Sequence, residues 1–223
     1  MNAMAPHISI LTLSVNGLND PLTCYRTTKW IRTHQPTIFC IQETHLTRKD
    51  SQKPKVRGWK KAFHANGHRK WAGVAILISE KTNFKATVVK RDTEGHYYIM
   101  LKSPVQQENI TILNINAPNN GAPTFLKQLL IDLRNEIDRN TIIVRDFSTP
   151  LAVLDRSSRQ KVNKDTIDLN YTLEQMDLTN IHRTFHPTTT EYTFYSTEHG
   201  TFSKIDNMIG DKTSLSKFKK IEI

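Results

Sequence analysis

The sequence predicts an α/β sandwich, in which two β-sheets pack face to face and helices cover their outer sides. Short runs rich in Ile, Val, Thr and aromatic residues, typical of β-strands, outnumber the segments with helical periodicity. The 223 residues suit one large sandwich, and no Gly/Ser-rich or charge-rich linker interrupts them. We therefore expect a single domain that spans residues 1–223.

The predicted strands are the short runs with strong β-propensity. They are Ile8 to Val15, Thr37 to Gln42, Val74 to Ser79, Ala86 to Lys90, Tyr97 to Leu101, Ile110 to Ile115, Thr141 to Val144 and Glu191 to Tyr195.

Three segments are predicted as helices. Leu22 to His34 is the first, and Thr166 to Met176, with a weaker pattern, is the third. The second, Pro123 to Arg139, has proline in its first turn. Its apolar residues recur every four positions, at Phe125, Leu129, Leu133 and Ile137.

Three well-separated apolar runs each end in a single carboxylate with small polar neighbours. These runs are Thr37 to Glu43, Thr141 to Asp146 and Phe202 to Asp206. Strands of this kind deliver their terminal side chains to one rim of a sheet. Carboxylates gathered at a rim suit a hard divalent cation acting on a phosphate, because such cations take oxygen ligands. The pattern indicates a nuclease.

The charge balance favours a polyanionic partner. Lys and Arg number 31 against 21 Asp and Glu, which gives a formal net charge of +10. Basic side chains that neutralise phosphates release condensed counterions and so favour binding. A solvated basic face is the alternative, but the acidic rim shifts the balance towards nucleic acid. We expect a nucleic acid as the partner and no membrane.

Cysteine content and hydropathy predict an intracellular protein, nuclear or cytoplasmic. Cys24 and Cys40 are too few for a disulfide scaffold or a four-thiolate metal site. Cys40 lies in an apolar run, where we expect it to pack as a small hydrophobic residue. No stretch is long and apolar enough to span a bilayer. We expect a monomer.

The motifs resemble those of the exonuclease III/apurinic endonuclease/DNase I superfamily, in the same order. They are Ile8 to Leu18, Ile41 to His45, Asn114 to Asn119, Arg145 to Pro150 and Ser203 to Asp206. A narrower likeness is to the endonuclease domain that opens the second open-reading-frame protein of long interspersed element (LINE) retrotransposons. The segments Gly73 to Ile78, Leu154 to Asp165 and Glu191 to Tyr195 carry it. The resemblance implies a four-layered endonuclease/exonuclease/phosphatase sandwich, with two packed β-sheets flanked by helices.

The resemblance also implies a site for Mg²⁺, with Mn²⁺ as the alternative ion. Glu43 resembles the metal-binding glutamate of the family, and a role in capping its loop is the minority alternative. Asn16 is expected beside the same ion, although a loop asparagine holding its own backbone is nearly as common. His45 follows closely but has no spaced His or Cys partner, so we expect it at the edge of the site.

Four further residues match catalytic positions of the family. Asp146 resembles the acid that aligns and deprotonates the attacking water, and Asp206 the acid that pairs with a C-terminal histidine. Asn119 resembles the asparagine that orients the phosphate, although its surroundings also form a good turn sequence. Thr193 matches a threonine that supports the site, where β-propensity alone is the simpler explanation.

Two segments are predicted to bind the DNA backbone beside the acidic rim. The first contains Arg156, Arg159 and Lys161. The second is the hairpin-like segment from Thr193 to Phe202, which in relatives probes the minor groove. Solvated surface is the alternative reading of both.

Several residues depart from the family pattern. Asparagine is expected at Ser14 and Ser148, tyrosine at Asn116, histidine at Asn207 and glycine at Arg145. A long cation at Arg145 would either pair with Asp146 or obstruct the scissile phosphate, and we expect its side chain among the acidic groups. The chain stops at Ile223, where relatives continue into a Ser-Asp-His strand, so the last strand region is missing by comparison and one sheet edge would be exposed.

The expected function is therefore a Mg²⁺-dependent DNA endonuclease that is catalytically impaired, in a degenerate and truncated copy of the LINE domain. A non-catalytic remnant that still binds nucleic acid is the alternative, and sugar- or inositol-phosphatase chemistry is a distant third.

Overall fold

The computed structural model describes residues 7–50, 58–66, 72–92, 97–105, 108–146, 150–158, 161–197 and 200–222, and for Arg48, Lys60 and Asp146 it describes the backbone alone. Two β-sheets, a small hairpin and four α-helices lie within these ranges. In the part of the chain thus described, no helix has the length and apolar character needed to cross a membrane.

The first sheet contains four strands. They are β1 (Ile10–Ser14), β2 (Ile38–Gln42), β3 (Trp59–Ala65) and β4 (Val74–Ser79), in the spatial order β1-β2-β4-β3. β1 runs parallel to β2, whereas β4 runs antiparallel to both of its neighbours. Every residue of β2 and β4 is buried, which explains why the sequence of these strands is almost continuously apolar.

The second sheet contains six strands. They are β5 (Val88–Arg91), β6 (Tyr98–Val105), β7 (Glu108–Asn116), β8 (Thr141–Asp146), β9 (Leu178–Asn180) and β12 (Asp206–Asp211). Their spatial order is β5-β6-β7-β8-β12-β9. β7 and β8 are parallel, and the other pairs are antiparallel. The remaining strands, β10 (Phe194–Ser196) and β11 (Thr201–Ser203), pair with each other as a hairpin.

Three of the four described α-helices begin at a capping side chain. The four helices are α1 (Pro21–His34), α2 (Ala122–Asp132), α3 (Lys164–Gln175) and α4 (Ile181–Phe185). Side chains of Asp20, Asn163 and Asn180 accept hydrogen bonds from backbone amides in the first turns of α1, α3 and α4.

Three separate apolar cores show that the layers are stacked in the order helix, sheet, sheet, helices. Ile41 of β2 packs with Ile31 of α1 on the outer side of the first sheet, whereas Cys40 lies in the core between the sheets. Val144 of β8 shares that central core, and Ile143 lies in the core beneath α2 and α3. This alternation follows from the two-residue period of a strand. The predicted sandwich of two sheets flanked by helices is confirmed.

The second helix ends earlier than the sequence predicted. α2 stops at Asp132 rather than Arg139, and turns follow. The carboxylate of Asp138 accepts hydrogen bonds from the Asn140 amide and the Thr141 hydroxyl. Side chains that bond the local backbone in this way compete with helix formation and here lead the chain into β8.

The strand predictions were correct in place but incomplete. β3, β9 and β12 were not predicted, and the run from Glu191 to Tyr195 becomes a strand only from Phe194 onwards. The run from Phe202 to Asp206 was expected to end in its carboxylate, but β11 ends at Ser203 and Asp206 is the first residue of β12. β12 contains Gly210 and a charged residue at each end, so its own sequence has little strand character. It forms because it pairs with β8 on one side and β9 on the other.

Candidate active site

Glu43 lies directly after β2, where two chain segments are bonded side by side. The Val15 amide donates to the Gln42 carbonyl at 3.2 Å, and the Gly17 amide donates to the Glu43 carbonyl at 2.7 Å. Asn16 therefore lies next to Glu43, and both residues have positive φ angles, 47° and 52°. Strained backbone at two neighbouring polar residues is typical of functional sites.

The carboxylate of Glu43 is half-buried and already has one partner. The Ser14 hydroxyl donates a hydrogen bond to Glu43 Oε2 at 3.0 Å, so Ser14 orients this side chain. On the other side, the Thr44 amide donates to the Gly73 carbonyl. A Cβ at position 73 would lie 2.5 Å from the Thr44 hydroxyl, and Gly73 has φ +124°, so glycine permits this close approach.

Asn116, Asp146 and Asp206 are directly opposite one another on three adjacent strands. Asn116 of β7 pairs with Asp146 of β8, which in turn pairs with Asp206 of β12. By the alternation of their strands, Asn116 and Asp206 are on the face that is directed at the first sheet. Two residues that the sequence separates by 90 positions thus meet at one rim.

Asn114 fixes this rim against the end of β2. Its amide nitrogen donates to the backbone carbonyls of Ile41 and Ala75, at 3.1 and 3.0 Å, and its oxygen accepts from the Gln42 amide at 2.6 Å. Both amide side chains are fully buried. Glu43 follows Gln42 by one residue and Asn116 follows Asn114 by two. The predicted acidic residues of the two sheets therefore lie at the same end of the sandwich.

Thr193 holds the turn that precedes β12. Its hydroxyl accepts hydrogen bonds from the backbone amides of Ile205 and Asp206, at 3.0 and 3.2 Å. This role is structural support for Asp206, and it goes beyond the β-propensity that the sequence suggested for Thr193. Asn119 is exposed in the bend between β7 and α2, three residues after Asn116.

Arg145 is at the same strand end but not among the acidic residues. It pairs in register with Ile115 and Asn207, on the face that α2 and α3 cover, and only 1% of its surface is exposed. This corrects the expectation for its side chain, and the reason is that neighbouring residues of a strand point to opposite faces. Asn207 lies on the same outer face, where it bonds to the Asn180 side chain and to the Ile205 carbonyl.

The two predicted DNA-binding segments lie side by side. Arg156 forms an antiparallel bridge with Ser203 of β11, and the Ser157 amide donates to the Phe202 carbonyl at 2.9 Å. In the hairpin, the Phe202 ring lies 4.7 Å from Tyr195, and both rings are about half exposed. Lys161 is exposed. Ser148 and Arg159 are outside the described residues.

A buried charged network beneath the hairpin was not predicted. Lys204, with 2% exposure, places its Nζ 2.6 Å from Nδ1 of His182, and Nε2 of that ring is 3.2 Å from the Glu191 carboxylate. Asp155, also buried, pairs with Arg183. Burial, with a smaller contribution from Arg183, lowers the pKa of Lys204 to about 8. No sequence pattern marks this network, because its members come from four separate segments.

A metal ion would have to be held mainly by oxygen atoms from separate elements. Among the described side chains, no group of three or more His, Cys, Asp or Glu residues forms a metal site. The oxygen atoms of Glu43 and Asn16 suit Mg²⁺ or Mn²⁺ chemically. The Cys40 thiol is buried in the central core, and this burial raises its pKa, so it packs as a hydrophobic residue.

Comparison with solved structures identifies the fold. No known protein-family model matches the sequence. The structure is similar to an AP endonuclease from Archaeoglobus fulgidus, with a TM-score of 0.74, 18% identity, and coverage of 94% of this chain and 89% of that one. The chain has the endonuclease/exonuclease/phosphatase fold.

Two other structures with this fold are similar over most of their length. The 3′ phosphatase NExo from Neisseria, solved with a product DNA hairpin, has a TM-score of 0.73, 17% identity and coverage of 94% of this chain and 89% of that one. The endonuclease domain of TRAS1, a telomere-specific non-LTR retrotransposon, has a TM-score of 0.71, 12% identity and coverage of 94% and 88%. At these identities the likeness is one of fold.

Proposed function

We propose that this protein is a DNA phosphodiesterase of the endonuclease type, with weak activity, related to the endonuclease domains of LINE retrotransposons. The observation that carries the proposal is the row Asn116–Asp146–Asp206, which Asn114 joins to the loop of Glu43. Proteins with this fold include AP endonucleases, a 3′ phosphatase and a retrotransposon endonuclease. The net charge of +10 supports a nucleic acid as the substrate.

Glu43 and Asn16 are the residues that would hold Mg²⁺ or Mn²⁺. Both supply oxygen atoms from adjacent segments, and the Ser14 hydrogen bond leaves Glu43 Oε1 available. When bound, the ion supplies positive charge that neutralises the scissile phosphate.

The protein's own residues would supply the proton acceptor, the phosphate contacts and the DNA contacts. Asp146 would accept a proton from the attacking water, and Asn119 would donate hydrogen bonds to a phosphate oxygen. Asp206 would be a second catalytic acid beside Asp146, and the Thr193 hydroxyl holds the Asp206 backbone in place. Arg156, Arg159 and Lys161 would bind the phosphate backbone while the aromatic hairpin contacts the groove.

Weak activity is proposed because several positions differ from the family pattern. Ser14 and Ser148 replace asparagines, and Asn116 and Asn207 replace larger residues that donate hydrogen bonds. When several catalytic residues act together, loss of one of them can lower the reaction rate by nearly as much as loss of all. A non-catalytic protein that binds DNA is the alternative, and the same departures from the family pattern favour it over full activity.

Nicking of supercoiled plasmid, with Mg²⁺ and with EDTA, separates these possibilities. We expect slow nicking that EDTA and Asp146→Asn both abolish, whereas Asp168→Asn, which alters an exposed acid between α2 and α3, leaves the rate unchanged. Binding without nicking would support the non-catalytic alternative. Absence of both nicking and DNA binding in a folded sample would contradict the proposal.

A further inference from the structure

The Lys204–His182–Glu191 contacts determine which form of His182 the fold accepts. An ammonium group only donates hydrogen bonds, so Nδ1 of His182 must accept from Lys204 at 2.6 Å. Nε2 then carries the proton and donates to Glu191 at 3.2 Å. The neutral ring satisfies both contacts. A protonated ring has no acceptor left, and would place a second cation against Lys204.

This ring connects the two chain segments that enter the candidate site. Glu191 is two residues before Thr193, and Lys204 is one residue before Ile205. The Thr193 hydroxyl in turn accepts hydrogen bonds from the backbone amides of Ile205 and Asp206. His182 therefore lies at the base of the β10–β11 hairpin, and its two hydrogen bonds reinforce the hydrogen bonds of Thr193.

The other charged groups nearby leave a proton on His182 poorly compensated. The ring of His186 lies 4.8 Å from that of His182 in a tilted arrangement, and Arg183 is bonded to the buried Asp155. The remaining carboxylate in contact is Glu191, which is 55% exposed to solvent. Burial, and next the charge of Lys204, lower the pKa of His182 below its usual value.

We propose that His182 is a positioning residue: its neutral ring holds the hairpin and the Asp206 turn in place, and its protonation releases them. The sign follows from the linkage of protonation to opening. Because the folded-state pKa lies below 6.5, the stabilisation is complete above about pH 6.5 and decreases as the pH falls below it. The effect on nicking rests on the proposed function, whereas the effect on the hairpin does not.

Hydrogen exchange tests the structural part directly. The amides of Ile205 and Asp206 are followed from pH 7.5 to pH 5.5, with rates corrected for intrinsic exchange and compared with the core amides of Ile112 and Ile76. In the wild type, opening should increase by up to about tenfold per pH unit below pH 6.5, because one proton is taken up. His182→Gln keeps an acceptor and a donor but does not titrate, so its opening should not depend on pH. His34→Gln, on the exposed face of α1, is the matched control and should behave as the wild type.

Lys204→Met provides a second test that does not require changing His182. Without the cation the ring can take up a proton at less cost, so the pH dependence of opening should decrease. Wild-type protection that stays constant down to pH 5.5, or an unchanged acid-induced opening in His182→Gln or Lys204→Met, would overturn the proposal. Nicking should fall over the same pH range in the wild type and not in His182→Gln. If the protein does not nick at all, the proposed function fails while the exchange result still decides the role of His182.

Discussion

At the scale of single residues, buried amide side chains join the two sheets near the candidate site. Asn114 uses its oxygen and both amide hydrogens, and all three partners belong to the first sheet. Buried polar groups stabilise a fold only when they are fully bonded, and here the bonds also fix how the sheets are aligned. The distance between Glu43 and the Asn116–Asp146–Asp206 row thus depends on one asparagine.

Replacing Asn114 should therefore lower the free energy of unfolding by more than the loss of one small side chain usually does. Asn114→Leu removes one hydrogen bond each from the carbonyls of Ile41 and Ala75 and from the Gln42 amide in a dry interior, so we expect unfolding to become easier by about 2–4 kcal/mol. Urea denaturation monitored by circular dichroism measures this. Asn109→Leu, on an exposed position of the same strand, is the control and should change stability by less than about 0.5 kcal/mol. Equal effects of the two substitutions would show that the Asn114 bonds contribute nothing specific.

At the scale of secondary-structure elements, the sequence predicted where the carboxylates lie on the strands, but it did not predict the buried side chains that hold the surrounding turns in place. Glu43 and Asp146 end strongly apolar strands, so the sequence alone indicated their positions at strand ends. Lys204 follows β11 and His182 lies in α4, and both are buried where these distant segments contact each other. The same limit applies to the β12 strand, which depends on pairing between distant segments.

The loop after β8 and the hairpin form one edge of the candidate DNA-binding surface. Lys161→Ala should weaken binding to duplexes of different sequence about equally, and should lower the slope of log Kd against log salt by about 1, because one phosphate contact is lost. Fluorescence anisotropy across a salt series measures both. Lys212→Ala removes an exposed lysine beyond the other end of β12 and should leave the slope unchanged. A loss with Lys212→Ala that matches that of Lys161→Ala would indicate non-specific attraction to the whole molecule.

At the scale of the whole molecule, the buried charge of Lys204 should appear in the dependence of stability on pH. The pKa of Lys204 is lowered from 10.5 to about 8, so the folded state loses this proton before the unfolded state does. Stability should accordingly rise between pH 8 and pH 10.5, by on the order of 3 kcal/mol if the whole shift is realised.

Comparison with Lys204→Met isolates this contribution from other groups that titrate at alkaline pH. Denaturation at several pH values should show the rise in the wild type and a flatter profile in the variant. Parallel profiles for the two proteins would mean that Lys204 has an ordinary pKa, for example because water reaches it.

The central position of β12 also has a consequence for the order in which the protein folds. β12 lies between β8 and β9, and β9 pairs with β12 alone among the described strands. During synthesis, β9 therefore has no described partner strand until residues 206–211 have left the ribosome. Asp206, the last member of the Asn116–Asp146–Asp206 row, emerges with the same strand. Because such distant pairings close large loops, they form slowly. A growing chain would thus carry an incomplete site until residue 206 has been added, and a ribosome stalled shortly before that residue would hold a chain that has the strands of the central core but lacks Asp206.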